Sequence, residues 1–330
     1  MIRVAILDDY QNAAMAMADW SGLQTSAEVV TFHDHLFDQD ALAQRLADFD
    51  VVVGMRERTG FSQSLLDKLP KLKLLITTGM NNASFDVAAA TELGIIVSGT
   101  ASGGGPGTTE LTWALILALL RHIPLEDKAT REGQWEVTVG EGLAGKTLGV
   151  IGLGNIGTQV ANIGKAFQMP VLAWSQNLTK ERAEQVGAVL VSKNELLRQS
   201  DIVTIHVRLS ERTRGLIGAD ELRLMKPTAY LLNTSRGPLV NEAALVEALQ
   251  SNRIAGAGLD VFDTEPLPQN HPYLELGNTV LTPHLGYVTL DGYQAMFSDA
   301  IENIETFLRD QPTRVINPAV LAQPNLRRIT

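Results

Sequence analysis

The chain has 330 residues, 45% of them hydrophobic and 19% charged, with a formal net charge of −10. That length predicts two domains, and the composition is that of a globular enzyme. The acidic balance argues against nucleic-acid and anionic-membrane partners. The absence of cysteine excludes disulfides, thiolate-bound zinc and thiol nucleophiles.

The first strand, Ile2-Arg-Val-Ala-Ile-Leu7, starts at once and leaves no room for a signal peptide, so a reducing, cytoplasmic setting is expected. Further apolar strands are predicted at 29–32, 51–53, 73–77 and 95–97, with helical patterns at 40–47 and 62–69 between them. Such alternation predicts a parallel sheet covered by helices on both faces. The stretch Ser98-Gly-Thr-Ala-Ser-Gly-Gly-Gly-Pro-Gly107 breaks the pattern and reads as an interdomain hinge; the alternative is a long flexible loop. An apolar helix over 109–122 follows. Its longest apolar run, Leu111 to Leu120, is about half of what a bilayer requires.

A strand then leads into Gly152-Leu-Gly-Asn-Ile-Gly157, with a helical pattern over Gln159 to Phe167. The G-x-G-x-x-G spacing between strand and helix points to a dinucleotide site. Gly152 permits the tight turn, Gly154 lets the backbone approach a pyrophosphate, and Gly157 lets the helix pack on the strand. The first-turn N–H groups around Asn155 and Ile156 face the anion. Alternation resumes with strands at 171–174, 188–191, 202–207, 229–233, 254–260 and 279–282, and helices at 180–186, 193–198, 219–225 and 241–251. After His284 only one amphipathic helix, Asp291 to Leu308, and a short tail remain, too little for a separate core. The expected fold is therefore α/β with two doubly wound parallel-sheet domains. A Rossmann nucleotide-binding domain (100–287) is inserted into a flavodoxin-like substrate domain (1–99 plus 288–330).

Arg236, Glu265 and His284 lie just past three consecutive predicted strands. Strand carboxyl ends share one edge in a parallel sheet, and ligands bind there. Arginine can grip a carboxylate with two parallel hydrogen bonds. Histidine can protonate an oxygen as hydride reaches its carbon, and a neighbouring glutamate would hold the tautomer. Taken singly, each also has an ordinary explanation: a surface ion pair, a turn cap, a satisfied loop histidine.

Asn233-Thr-Ser-Arg-Gly237, Asp260-Val-Phe-Asp-Thr-Glu-Pro266 and Thr282-Pro-His-Leu-Gly286 resemble the three signatures of the D-isomer-specific 2-hydroxyacid dehydrogenases. The glycine loop resembles that family's cofactor loop. The likeness runs from about residue 70 to 320. It implies Arg236 as substrate anchor, His284 as acid/base and Glu265 as its partner. It places Asp260 near the nicotinamide carboxamide and Thr234, in the arginine signature, at the cofactor. It also implies that Gly79 and Met80 offer backbone N–H groups to the substrate carboxylate. Family members are usually homodimers joined through their nucleotide domains, which would make helix 109–122 and Trp135 interface rather than core.

Two departures from the family pattern bear on specificity. The second strand of the nucleotide domain ends Trp174-Ser175-Gln176-Asn177, where the family often has an acidic residue that contacts ribose hydroxyls and repels a 2′-phosphate. Arg208 stands where proline is common, and His206 is expected to line the cofactor cleft. These residues favour NADP(H) over NAD(H); the alternative is that Ser175 serves NADH and Arg208 is solvated. The second departure, Asn81-Asn82-Ala83-Ser84, blurs substrate inference. Arg56, past the strand 51–53, is expected on the cleft-facing edge, at the substrate's distal end; a surface pair with Glu57 is the alternative. His33 and His35 lack a third ligand at metal-binding spacing, so no metal is expected, and His122 reads as structural at a helix end. The leading expectation is an enzyme that reduces a small 2-oxo acid such as glyoxylate or hydroxypyruvate. The alternatives are a nucleotide-sensing binding protein on the same fold and, less well matched to Arg236, Glu265 and His284, a methyltransferase.

Overall fold

The computed structural model describes residues 1–101 and 106–329. The central glycines of the expected hinge lie outside the described residues. The chain divides into two compact units, Met1–Gly105 with Tyr287–Thr330, and Pro106–Gly286.

The first unit holds a parallel sheet of β1 (Ile2–Ile6), β2 (Ala27–Thr31), β3 (Val51–Gly54), β4 (Leu74–Thr77) and β5 (Ile96–Gly99), in the order β2-β1-β3-β4-β5. This is the flavodoxin-like order. β3, β4 and β5 are buried throughout. Their apolar runs, such as Val51-Val-Val, fit strands covered on both faces. Helix Leu290–Leu308 is capped by Thr289, whose hydroxyl accepts from Gly292 N at 3.1 Å. It buries Met296, Phe297, Ala300, Ile304 and Phe307 against Val4, Ile6, Val53 and Ile76. The i, i+3, i+4 spacing gives it a single apolar stripe. Two buried asparagines fasten this segment to β5. Asn303 donates to Gly99 O (2.8 Å), and the Asn317 amide both accepts from Val97 N (2.8 Å) and donates to Ile95 O (3.0 Å). Tyr287, expected in the nucleotide-binding domain, belongs to this first unit, since its ring packs in the same core.

The second unit is a seven-stranded parallel sheet: β6 (Leu148–Ile151), β7 (Val171–Trp174), β8 (Val189–Leu190), β9 (Ile202–Ile205), β10 (Tyr230–Asn233), β11 (Gly256–Leu259) and β12 (Thr279–Leu281). Its order, β12-β11-β10-β9-β6-β7-β8, is the Rossmann winding with one further strand. The winding reverses between β6 and β9, where such sheets open a crevice at the strand carboxyl ends. Helix Gly107–Leu120 corrects one expectation. Trp113, Leu115, Ile116, Leu119 and Leu120 are buried in this unit's own core with Leu148, Val150 and Leu232, so these side chains of the helix are core residues. Its apolar residues point to more than one side because sheet and neighbouring helix Asn155–Ala166 both cover it. Trp135, by contrast, is 79% exposed.

Candidate active site

β6 ends at Ile151 and the chain turns through Gly152 with φ +99°, a conformation that strains any residue with a Cβ. Gly157 faces back on that turn: a Cβ there would stand 1.9 Å from Gly152 O. Gly154 is different. Its φ is −82°, and a Cβ added to it would meet nothing within 4 Å among the described residues. The fold therefore places no demand for glycine at 154. It precedes helix Asn155–Ala166, whose first turn has no side-chain cap and no acidic residue. Exposed N–H groups, the positive end of the helix dipole and space above Gly154 fit a pyrophosphate.

The surrounding residues fit the rest of a dinucleotide. β7 runs beside β6, and Gly152 N donates to Trp174 O at 2.8 Å, so Ser175, Gln176 and Asn177 start beside the glycine turn. Gln176 and Asn177 are exposed. On the other side β9 ends at Ile205, and His206 N donates to Ile151 O at 2.7 Å. The His206 ring accepts or donates at Nε2 with Thr204 Oγ1 (2.8 Å), while its Nδ1 is buried with no hydrogen-bond partner among the described residues. Burial pushes the imidazole down to about 3, so it is neutral at physiological pH. An orphaned ring nitrogen beside the phosphate turn suits a polar group brought by a ligand. Arg208 is exposed two residues on.

Arg236, Glu265 and His284 follow β10, β11 and β12, neighbours in the sheet with their carboxyl ends on one edge. His284 Nδ1 lies 2.6 Å from Glu265 Oε2, and Glu265 Oε1 accepts from Phe262 N at 3.0 Å. The histidine is 8% exposed and sits at φ +57°. Asp260 holds the loop that carries it. Asp260 Oδ1 accepts from Thr282 Oγ1 and Leu285 N (both 2.7 Å), and Oδ2 from Gly286 N (2.9 Å). Burial pushes the Asp260 carboxyl up, against the opposing pull of these donors and of His284. The Arg236 turn is held in the same manner. Asn233 Nδ2 donates to Arg236 O (2.9 Å), and Arg236 Nη1 donates to Ser235 O (2.6 Å). Gly237 joins the two loops: a Cβ there would stand 2.1 Å from Phe262 C.

Asn233, Gly237 and Thr282 bound the quoted signatures, but the sequence assigns them no role of their own. A polar residue closing the buried strand Tyr-Leu-Leu-Asn233 was the available signal. Thr234 is on the expected edge, but its hydroxyl pairs with Thr112 Oγ1 at 2.9 Å, anchoring the buried helix.

In the first unit, the Arg56 guanidinium lies over Thr78 O (Nη1, 3.0 Å) and 5.4 Å from the Tyr287 ring. It also covers Gly79, where a Cβ would stand 2.2 Å from Nη1. One expectation is corrected here: Gly79 N donates to Thr100 Oγ1 at 2.8 Å, because the loop folds back on β5, so that N–H is already engaged. Met80, 42% exposed, keeps a main-chain N–H directed to no recorded partner among the described residues. His35 pairs with Asp8 (2.8 Å) and His33 with the Asp9 carbonyl (2.9 Å). Among the described residues no group of three His, Asp or Glu side chains is placed to hold a metal ion, and no helix is long and apolar enough to cross a membrane.

A Rossmann sheet with a phosphate turn, and a His–Glu pair beside an arginine on the same edge, define a dinucleotide-dependent oxidoreductase. Residues 113–286 match the family model described as D-isomer specific 2-hydroxyacid dehydrogenase, NAD binding domain. A glyoxylate reductase of Aeropyrum pernix is 41% identical over 267 residues, 78% of this chain and 80% of that protein. A D-3-phosphoglycerate dehydrogenase of Methanocaldococcus jannaschii is 36% identical over 333 residues; the match spans all of this chain and 62% of that longer protein. An oxidoreductase structure from Ralstonia solanacearum superposes with a TM-score of 0.92 at 38% identity, covering 99% of this chain and 100% of that one. The chain belongs to the D-isomer-specific 2-hydroxyacid dehydrogenase family. It is an oxidoreductase that uses a nicotinamide dinucleotide to interconvert 2-oxo and 2-hydroxy acids.

Proposed function

We propose that this protein reduces a small 2-oxo acid, of the size of glyoxylate or hydroxypyruvate, to the D-2-hydroxy acid. The observation that carries the reading is the 2.6 Å contact between His284 Nδ1 and Glu265 Oε2, on the sheet edge that also bears the phosphate turn. A bound nicotinamide would supply the hydride. Arg236 binds the substrate carboxylate and polarises the adjoining carbonyl. With Nδ1 committed to Glu265, proton delivery to the carbonyl oxygen falls to Nε2 of His284. Glu265, in contact with Nδ1, fixes the ring's orientation for that transfer. Asp260 keeps the His284 loop in place through three hydrogen bonds, and its proposed place is near the carboxamide that a bound nicotinamide would present. In the first unit, Met80 N and the Arg56 guanidinium are the groups proposed to bind a 2-oxo acid.

NADPH is the proposed cofactor. Ser175 at the end of β7 introduces no carboxylate against a 2′-phosphate, and the exposed Arg208 makes no ion pair among the described residues. His206, Gln176, Asn177 and Thr234 complete the proposed cofactor surroundings. We further propose a cytoplasmic homodimer joined through the nucleotide-binding units. Its support is the exposed apolar stretch around Ile123 (50%), Leu125 (51%), Trp135 (79%) and Val139 (92%). The test of the whole reading is a set of initial rates for a panel of 2-oxo acids with NADH and with NADPH. Turnover of glyoxylate or hydroxypyruvate is expected, faster with NADPH. No turnover with either cofactor would replace the enzyme by a nucleotide sensor on the same fold.

A further inference from the structure

Within the nucleotide-binding unit, Arg236 and Glu265 sit on two different loops, and a side-chain contact away from both joins those loops. After Arg236 the chain makes a short turn, Gly237–Leu239, and enters helix Glu242–Gln250. After Glu265 it runs through His271 into a second turn, Pro272–Glu275, that leads to β12. His271 Nε2 lies 3.1 Å from Glu242 Oε1, and the histidine side chain is 11% exposed. The other ring nitrogen, Nδ1, accepts from Tyr273 N at 3.2 Å. A ring nitrogen that accepts carries no hydrogen, so the N–H of this imidazole is at Nε2 and donates to Glu242.

The contact is continuous with the surroundings of Glu265. The His271 and Tyr273 rings are 4.7 Å apart between centroids, and the buried Tyr273 ring lies 6.3 Å from that of Phe262. Phe262 N in turn donates to Glu265 Oε1 at 3.0 Å. From the Arg236 side, Gly237 presses on the Phe262 main chain. Partial burial, and then Glu242, push the Asp263 carboxyl up, against the pull of Arg214 and His271. Without the His271 donor, Glu242 and Asp263 would face each other as like charges across the two loops. A side chain on a loop keeps its aim only through supporting contacts of this kind.

We propose that His271 and Glu242 are positioning residues. Their hydrogen bond clamps the loop that carries Glu265 to the segment that carries Arg236, and so holds Glu265 for its contact with His284. The two residues act through Glu265 and Arg236, not on the substrate. This rests on the function proposed above, in which Arg236, Glu265 and His284 perform the reduction.

The test measures kcat and KM for the fastest 2-oxo acid in wild type, His271→Asn, Glu242→Ala, Glu242→Gln and the double variant of His271→Asn with Glu242→Ala. Asparagine can still cap Tyr273 N but does not extend to Glu242, so it deletes the clamp alone. His271→Asn and Glu242→Ala should each lower kcat by about 10-fold, within the roughly 10²-fold that a small misplacement can cost, and should raise KM by less. The double variant should lose no more than the worse single one, because both remove one bond. Glu242→Gln, whose amide oxygen still accepts, should recover most of the loss. Rates are normalised to cofactor-binding sites, so unfolded protein drops out, and if Glu242→Ala does not fold, His271→Asn and Glu242→Gln decide. A kcat within twofold of wild type in both single variants, additive losses in the double variant, or no recovery with Glu242→Gln would overturn the clamp. Amide hydrogen exchange reads it without turnover. Exchange at Phe262 N–H should quicken by about 10-fold in His271→Asn while amides of β9 and β10 stay protected, and unchanged exchange at Phe262 would overturn the clamp. If wild type reduces no 2-oxo acid, the proposed reduction fails, and the exchange at Phe262 alone decides whether His271 holds the Glu265 loop.

Discussion

Gly154 and Gly157 are both glycines of one motif, yet their replacement by alanine should fail in different ways. At Gly157 the new Cβ would stand 1.9 Å from Gly152 O, a backbone atom that cannot swing aside. Relieving an overlap of more than an ångström needs a shift of helix or turn, at about 1–3 kcal/mol. For a domain of this size that is roughly 2–12 °C in Tm. At Gly154 the Cβ meets no atom of the described residues within 4 Å and φ is −82°, so the weaker capping preference of alanine is what counts, about 0.5–1 kcal/mol. What Gly154→Ala should lose is the close approach of a pyrophosphate. Losing one hydrogen bond to a charged group weakens the cofactor Kd by about 10- to 100-fold. The assays are thermal unfolding without cofactor and titration of reduced cofactor fluorescence. Gly154→Ala should keep a near-native Tm and bind poorly, and Gly157→Ala should lose Tm first. Cofactor binding by Gly154→Ala within twofold of wild type, or a Tm loss matching Gly157→Ala, would refute the assignment of that open space to phosphate.

His284→Ala should lose about 10²- to 10⁴-fold in kcat while cofactor still binds, as stopped-flow turnover and fluorescence titration would report; near-normal turnover would mean that another group delivers the proton. Arg236→Lys should retain the charge but not the planar fork, so kcat/KM should stay well below wild type, and full recovery would contradict carboxylate anchoring by Arg236. Ser175→Asp should shift the NADPH/NADH ratio of kcat/KM toward NADH by repelling a 2′-phosphate; unchanged NADPH kinetics would move β7's end away from the adenosine ribose. His206, pushed down to about 3, should show no imidazole titration by NMR between pH 5 and 8 in the cofactor-free protein. The unfolded chain takes up a proton below about pH 6.5 that the folded ring refuses, so this residue's contribution to stability is present above that pH. It is lost at about 1.4 kcal/mol per unit as pH falls toward 3. A midpoint near 6.5 would place the ring in solvent.

The sequence by itself determined the strand inventory, because buried parallel strands are short apolar runs bounded by turn residues. The expected strand at 51–53 is β3 (Val51–Gly54), and that at 171–174 is β7 (Val171–Trp174). It also offered the candidate residues for the chemistry, since Gly152, Arg236, Glu265 and His284 each follow a strand within a distinctive local pattern. Short helices such as Val87–Glu92 escaped, their apolar periodicity being too brief to stand out.

Tertiary structure alone decided which polar atoms meet. Asp260 and Leu285 are 25 positions apart, and Asn317 and Val97 are 220 apart, so no local pattern could pair them. The fate of helix Gly107–Leu120 was likewise undetermined. A helix apolar on several sides is the same sequence whether a partner subunit or its own sheet covers it, and here Leu148, Val150 and Leu232 do. Gly79 shows the same limit. Its N–H looked available for a carboxylate until the fold brought Thr100 to it, because the hydrogen bond depends on where β5 ends rather than on the residues beside the glycine.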